Sequence, residues 1–441
     1  MYDANGQLNR KAGEEIFVQI LKMGSTGSEV ALLKKGLNRA GYGPLSLTGF
    51  FDEITEQALR DFQRFSGLEP DGIFGPRTEQ AMAPWLMGYT VHTIRRGDTL
   101  WRIANEYDTT LLALETANPE LDPFNLQPGR QLTVPFSFSL VPTDIPYSSA
   151  LIDYCVRGLA VRYPKLSTGV IGRSVMGRPL YRLTLGRGNR RVMYNAAHHG
   201  NEWITVPLLL KFTEIILRSN AAGESLGGVS AEELLHLCTL DIVPAVNPDG
   251  IDLVTGALQF GAEYERAVAM AAEFPAVPFP DGWKANIRGT DPNLQYPAEW
   301  EEARRVKFDQ GFTRPGPVGY VGPGPLAEPE SLAMYEFTRQ RNPELVLAYH
   351  TQGEVIYWKF LELEPAGSRE LAERLSRVSG YAYEDTPYSA GFAGYKDWFI
   401  QEYDRPGYTI EAGLGANPLP ISQFPQIWKA NLGILIQAAL G

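Results

Sequence analysis

Histidine is scarce in this chain of 441 residues, which has five: His92, His198, His199, His236 and His350. Two stand together in Ala196-Ala197-His198-His199-Gly200-Asn201-Glu202-Trp203. The strand-like run Arg191–Asn195 precedes them, and an apolar amphipathic helix is expected after them, from about Ile204 to Leu217. His199 and Glu202 are three apart, so a strand end turning into a helix can aim both at one point. One distant histidine and a water would complete a four-coordinate catalytic zinc site. His350 can be that ligand, because it closes the strand-like run Leu345–Tyr349 and precedes Thr351-Gln352-Gly353. On its own the pair is weak, since a helix-capping glutamate beside a core histidine has the same spacing.

The elements that must hold these residues belong to a large, multi-domain chain. At about 100–200 residues per domain, two to four domains are expected. Hydrophobic residues make up 44% and charged residues 21%, the balance of a soluble globular protein. The net charge of −11, with no basic run, argues against a nucleic-acid partner. No apolar stretch approaches the ~18 residues of a membrane span, so no membrane partner is expected. Met1–Lys11 is polar and lacks the apolar core of a signal peptide, so the chain as written is expected in the cytoplasm. Cys155 and Cys238 are too few for a disulfide framework or a thiolate zinc site and read as reduced, buried thiols.

Three segments follow one another. Gly49-Phe50-Phe51-Asp52-Glu53-Ile54-Thr55-Glu56-Gln57-Ala58-Leu59 reads again as Gly72-Ile73-Phe74-Gly75-Pro76-Arg77-Thr78-Glu79-Gln80-Ala81-Met82. Each copy has a Gly turn, a Thr that can cap a helix, and apolar residues at helical spacing. Val30, Leu33 and Leu37 form an earlier helical stripe, ended by Gly41. Residues 17–87 are therefore expected to be a small three-helix domain, and they resemble the peptidoglycan-binding domain of cell-wall hydrolases. In residues 89–136 a strand at Tyr89-Thr90-Val91 leads to Gly97-Asp98-Thr99-Leu100-Trp101-Arg102-Ile103-Ala104, where Asp98 or Thr99 caps a helix, and Gln131–Pro135 closes as a strand. This βααβ segment resembles the LysM module, which implies binding to glycans containing N-acetylglucosamine. Residues 136–146, with Pro142 and Pro146, read as a linker. From 146 to 441, apolar strand-like runs at Arg191–Asn195, Thr239–Val243, Leu345–Tyr349 and Tyr408–Ile410 alternate with helical stripes. That pattern predicts an α/β layer fold with functional groups beyond the carboxyl ends of the strands.

Context strengthens the histidine pair. His199-Gly200-Asn201-Glu202, Asn247-Pro248-Asp249-Gly250, Gly289-Thr290-Asp291-Pro292-Asn293, His350-Thr351-Gln352-Gly353 and Thr409-Ile410-Glu411-Ala412-Gly413 occur in that order. The series resembles that of the zinc carboxypeptidase (funnelin) family across the whole C-terminal domain. The resemblance implies a carboxypeptidase-like mixed sheet between helices. It also implies one zinc ion held by His199, Glu202 and His350, with Glu411 as general base. Such a metal acidifies water toward a pKa of ~7, and the carboxylate takes the proton as the water attacks an amide carbonyl. Where the family sets an Arg to stabilise the oxyanion, this chain has Lys284, which keeps the charge but loses the bidentate fork; Arg288 is a nearby alternative.

The family holds a terminal carboxylate with an Asn-Arg pair, and here Asn293 is followed by Leu294. Losing that Arg points toward internal or side-chain amide bonds. Tyr388 is the nearest match to the family's pocket tyrosine, one residue out of register, and Lys396 in Lys396-Asp397-Trp398 falls at its specificity position. A cation there would suit a carboxylate-bearing side chain. Together with two wall-binding modules, the chain resembles γ-D-glutamyl-L-diamino acid endopeptidases of spore-forming bacteria. The expected partners are peptidoglycan stem peptides and glycan strands, met in a sporulating cell or at the cell wall. An ordinary carboxypeptidase and an inactive wall-anchored binding protein are the alternatives.

Overall fold

A computed structural model describes residues 19–441; the polar stretch Met1–Lys11 and the first two residues of the three-helix segment lie outside the described residues. The described chain divides into two compact units, one ending at Trp85 and one beginning at Leu86.

The first unit contains the helices Ser28–Arg39 and Glu53–Phe65 and most of Pro76–Met87. Val30, Leu33 and Leu37 are buried with Leu59, Phe62 and Met82, so the apolar stripes meet as the spacing requires. The repeated threonines do not cap. Asp52 is the N-cap of the second helix and accepts from Thr55 N at 2.9 Å, while Thr55 is buried. In the second copy Thr78 is buried too and its hydroxyl accepts from Gln63 Nε2 at 3.1 Å. The cap falls three residues before the threonine because only a residue with extended backbone can offer its side chain to the first free N–H groups.

The second unit opens with β1 (Tyr89–Thr93), paired antiparallel to β2 (Gln131–Pro135). Two short helices, Leu100–Glu106 and Leu111–Ala117, lie between them and close over Ile103, Leu114, Leu132 and Val134. Thr99 caps the first helix by accepting from Arg102 N. Asp98 does something else: it accepts from Arg95 N at 2.6 Å and pairs with His92 Nε2 at 2.9 Å, which locks the turn ahead of the helix.

The segment read as a linker is packed. Leu140, Val141, Ile145 and Tyr147 are buried. Glu214, on the helix Thr205–Ala222, accepts from Ser139 Oγ at 2.7 Å and Leu140 N at 2.6 Å, and Lys211 pairs with it at 3.0 Å. Arg162 donates to the carbonyls of Phe136 and Phe138. Prolines suggested a spacer, but the apolar residues beside them drew the segment onto the large domain.

That domain is built on β3 (Ser167–Arg173), β4 (Pro179–Gly186), β5 (Arg190–Ala196), β8 (Cys238–Val243), β9 (Leu345–His350), β10 (Val355–Tyr357), β11 (Ala382–Glu384) and β12 (Gly407–Glu411), with a small hairpin of β6 (Ser225–Leu226) and β7 (Val229–Ser230) outside the sheet. The sheet order is β11-β10-β12-β9-β5-β8-β4-β3. The centre, β12-β9-β5-β8, is parallel, and the flanks are mixed. β9 is buried at every residue, as a strand covered by helices on both faces must be. β5, β9 and β12 are neighbours and run the same way, so their carboxyl ends open on one place. Among the described residues no helix is long and apolar enough to cross a membrane.

Candidate metal centre

Three strand ends converge. After β5 the chain turns at His199, which precedes a single 3-10 turn, Gly200–Glu202, and then the helix Thr205–Ala222. This turn sits on a second one. Asn247 donates to the carbonyls of His198 at 3.1 Å and Ala285 at 2.9 Å. A Cβ on Gly200 would come within 2.5 Å of the Gly250 carbonyl carbon, so the two glycine-containing motifs exist to let two backbones touch. His350 ends β9, and Glu411, at the end of β12, is its direct partner in the register.

His199 Nδ1 lies 2.9 Å from Glu202 Oε1, His350 Nδ1 lies 2.9 Å from Glu202 Oε2, and the two Nδ1 atoms are 3.3 Å apart. Two bonds of ~2.0–2.1 Å at a tetrahedral angle would put donor atoms roughly 3.3 Å apart. The donor set, two imidazole nitrogens and a carboxylate within 4.8 Å of one another, is what zinc takes. The electrostatics agree. His199 has a carboxylate at each nitrogen, with Asp291 Oδ1 3.2 Å from its Nε2. Burial works against charging this imidazole, yet Glu202 and Asp291 push its pKa up to about 9. Burial likewise opposes ionising Glu202, but His199, Lys284 and His350 hold its carboxyl well below the usual range. The centre therefore favours positive charge, and its residues fit a zinc ion.

The surrounding groups separate clearly. Lys284 Nζ donates to Glu202 Oε1 at 3.1 Å, so Lys284 stands at the centre. Arg288 does not: it is 56% exposed and turns to Glu328 at 3.4 Å. Burial pushes the Glu411 carboxyl up, partly offset by His350. His198, adjacent to a ligand, is a buried spectator. Its Nε2 meets Tyr296 OH at 2.9 Å, and burial, then His350, hold it neutral.

Asn293 Oδ1 accepts from Tyr395 N at 3.1 Å, next to Lys396. Lys396 is only 3% exposed, and its ammonium meets Asp397 at 2.6 Å, the Lys359 carbonyl at 2.7 Å and Thr386 Oγ1 at 3.2 Å. Two of its donors have neutral acceptors, and its charge is paired by Asp397. Tyr388 lies on a 3-10 turn, is 60% exposed, and hydrogen bonds through its hydroxyl with Glu302 and Arg305. Leu294 joins an apolar cluster with Tyr296, Phe392 and Tyr395 and is 8% exposed. Asp291 received no role from the sequence, although its Gly-x-Asp-x-Asn motif marked the place. It orients His199 and caps its own turn by accepting from Asn293 N at 3.0 Å.

Comparison with known proteins agrees with this geometry. The zinc carboxypeptidase family profile matches residues 152–433, a peptidoglycan binding domain profile matches 26–82, and a LysM domain profile matches 92–135. The γ-D-glutamyl-L-diamino acid endopeptidase 1 of Lysinibacillus sphaericus is 41% identical over 395 residues, covering 78% of this chain and 98% of that protein. Mouse carboxypeptidase A6 is 24% identical over 197 residues, covering 43% of this chain and 39% of that one. Among solved structures, carboxypeptidase A from Helicoverpa armigera superposes with a TM-score of 0.52 at 18% identity, over 68% of this chain and 75% of that one. That likeness concerns the fold.

Proposed function

This chain belongs to the zinc carboxypeptidase family, and on that premise we propose that it hydrolyses the amide bond between γ-D-glutamate and a diamino acid, such as diaminopimelate, in peptidoglycan stem peptides. The observation that carries the reading is the alignment with the Lysinibacillus sphaericus endopeptidase over 98% of its length. Leu294 speaks for an internal bond, since an apolar, buried side chain there cannot hold a terminal carboxylate. The peptidoglycan-binding and LysM modules keep the enzyme on glycan strands and raise its effective concentration at the wall.

In this reading His199, Glu202 and His350 hold one zinc ion, and Asp291 fixes the ring of His199. When bound, zinc supplies a Lewis acid that polarises an amide carbonyl and acidifies water. Glu411 takes the proton of the attacking water on its carboxylate and later gives it to the leaving amine nitrogen. Burial, which raises the Glu411 pKa, makes its carboxylate a stronger base for the first step. The ammonium of Lys284 faces the developing oxyanion as a point charge. Asn293 and Tyr388 border the pocket beyond the scissile bond. Lys396 is buried and its charge already has a counter-ion in Asp397, which argues for a positioning role rather than for capture of a substrate carboxylate.

Digestion of purified muropeptides by the full chain, with products read by mass, tests the reading. Cleavage between γ-glutamate and the diamino acid is expected. Glu411→Ala should lose turnover while one zinc per chain is retained. Release of single C-terminal residues instead would replace this reading by an ordinary carboxypeptidase, and inertness of the zinc-loaded protein would leave only wall binding.

A further inference from the structure

We infer that Lys307 fixes a carboxylate of the substrate beside the scissile bond, supplying from another element the cation that position 294 lacks. This rests on the endopeptidase reading above, which supplies the anion. Lys307 lies in the last turn of the helix Trp300–Asp309 and is half-buried. Its Nζ donates to the Ser389 carbonyl at 2.9 Å and to Gln310 Oε1 at 3.3 Å, both neutral acceptors. Arg304 and Arg305 on the same helix are paired with Glu301, Glu302 and Asp309. Among the described residues no carboxylate pairs with Lys307. An ammonium has three donors, so one remains for a ligand.

Its helix packs on the cluster that holds Leu294, with Trp300, Ala303 and Val306 buried there beside Leu294, Phe392 and Tyr395. The charges that act on it are those of Asp291 and Lys284, the two groups that touch His199 and Glu202 at 3.2 and 3.1 Å. On its other side Ser389 follows Tyr388 in the exposed 3-10 turn. Lys307 therefore stands on the helix that packs on Leu294 and beside the turn of Tyr388, whose ring meets Phe392 with centroids 4.9 Å apart. A partly dehydrated cation without a counter-charge is costly, and burial already lowers its pKa. A substrate anion removes that cost on binding.

Near the scissile bond the proposed substrate carries two such anions, apart from the distal carboxylate at the far end of the diaminopimelate side chain. A glutamate linked through its side-chain carboxyl keeps its α-carboxylate free, and the diamino acid carries its own. Three peptides separate them: the stem tripeptide with γ-D-glutamate and diaminopimelate, the same peptide with the glutamate α-carboxyl amidated, and the same peptide with the diaminopimelate α-carboxyl amidated. With the full, zinc-loaded chain, Lys307→Met should lower kcat/KM on the parent peptide about 10- to 100-fold, chiefly through KM, as loss of a hydrogen bond to a charged group does. The loss should vanish on one amidated peptide, which identifies the bound carboxylate. Lys307→Arg should retain most of the parent activity and guards against a folding defect in the Met variant. No loss on the parent, or the same loss on all three peptides, overturns the inference, leaving Lys307 either a partner of the distal carboxylate, which every peptide keeps, or a support for the Tyr388 turn. A wild-type enzyme unable to cleave the parent overturns the endopeptidase reading and this inference with it.

Discussion

Replacing Asp291 separates holding a metal ligand from being one. The carboxylate accepts from His199 Nε2 at 3.2 Å and from Asn293 N at 3.0 Å. Although burial opposes it, His199 keeps this carboxyl ionised, with a pKa of about 2. Asp291→Asn keeps an acceptor and loses the charge, and Asp291→Ala loses both. Outer-shell partners of this kind are worth 10- to 100-fold in metal affinity, roughly 1.4–2.8 kcal/mol. Asn should fall near the lower end and Ala near the upper, with Ala also losing about 1 kcal/mol of stability as the turn loses its cap. Competition for zinc against a chromophoric chelator reads the affinity, and thermal unfolding reads the rest. The gap should also depend on pH. Wild type must shed the proton that His199 holds up to about pH 9, and the variant holds it less firmly. Proton competition therefore penalises wild type more as pH falls, so the gap is widest near pH 9 and narrows below it. Unchanged zinc affinity in Asp291→Ala would refute the assigned geometry.

Three further outcomes are expected. Burial, then Asp249, pushes the Glu330 carboxyl up to about 7, so the folded protein keeps a proton that the unfolded chain releases near 4.5. That stabilisation is complete below about pH 4.5 and lost as pH rises through 7, by roughly 3 kcal/mol at most; Glu330→Gln should flatten this slope in melting temperature against pH, and an unaltered slope would count against it. Leu294→Arg should destabilise by about 3 kcal/mol by burying an unpaired guanidinium, without creating activity on free C-termini; a stable variant with that activity would show that position 294 opens on the pocket. Glu214→Ala should cost about 3 kcal/mol by stranding Lys211 and the Leu140 N–H, and a chain begun at residue 142 should lose stability that one begun at 136 keeps; equal melting temperatures would refute the role of Glu214.

What could be read from the sequence followed from periodicity and from rarity. β5, β8, β9 and β12 are apolar runs, and two of the five histidines sit at ends of neighbouring parallel strands, so the triad was visible before the fold. Contacts between distant residues were not. Nothing local in Asp291 says that it faces His199, 92 positions away. Lys307 carries no motif and gains meaning only from Asp291, Lys284 and Ser389. Lys396 and Arg288 were both read as cations available to substrate; one is enclosed by Asp397 and a carbonyl, the other turned to Glu328. The Thr55 cap failed for a local reason, because Asp52 three residues earlier was the better acceptor for the first N–H groups.

The packed strap between the LysM module and the sheet changes how wall binding can help. A flexible tether lets a catalytic domain sweep a volume, and its benefit depends on linker length. Here Leu140, Val141 and Ile145 are buried, and Glu214 and Arg162 clamp the backbone on either side. The LysM module and the metal centre thus keep one separation, like the jaws of a calliper. On the proposed function, with the LysM module holding a glycan strand, a stem peptide is within reach only if it projects from the strand at that distance from the held sugar. The spacing and helical pitch of the glycan then choose which stems are cut while the module is engaged, and the others wait until it lets go.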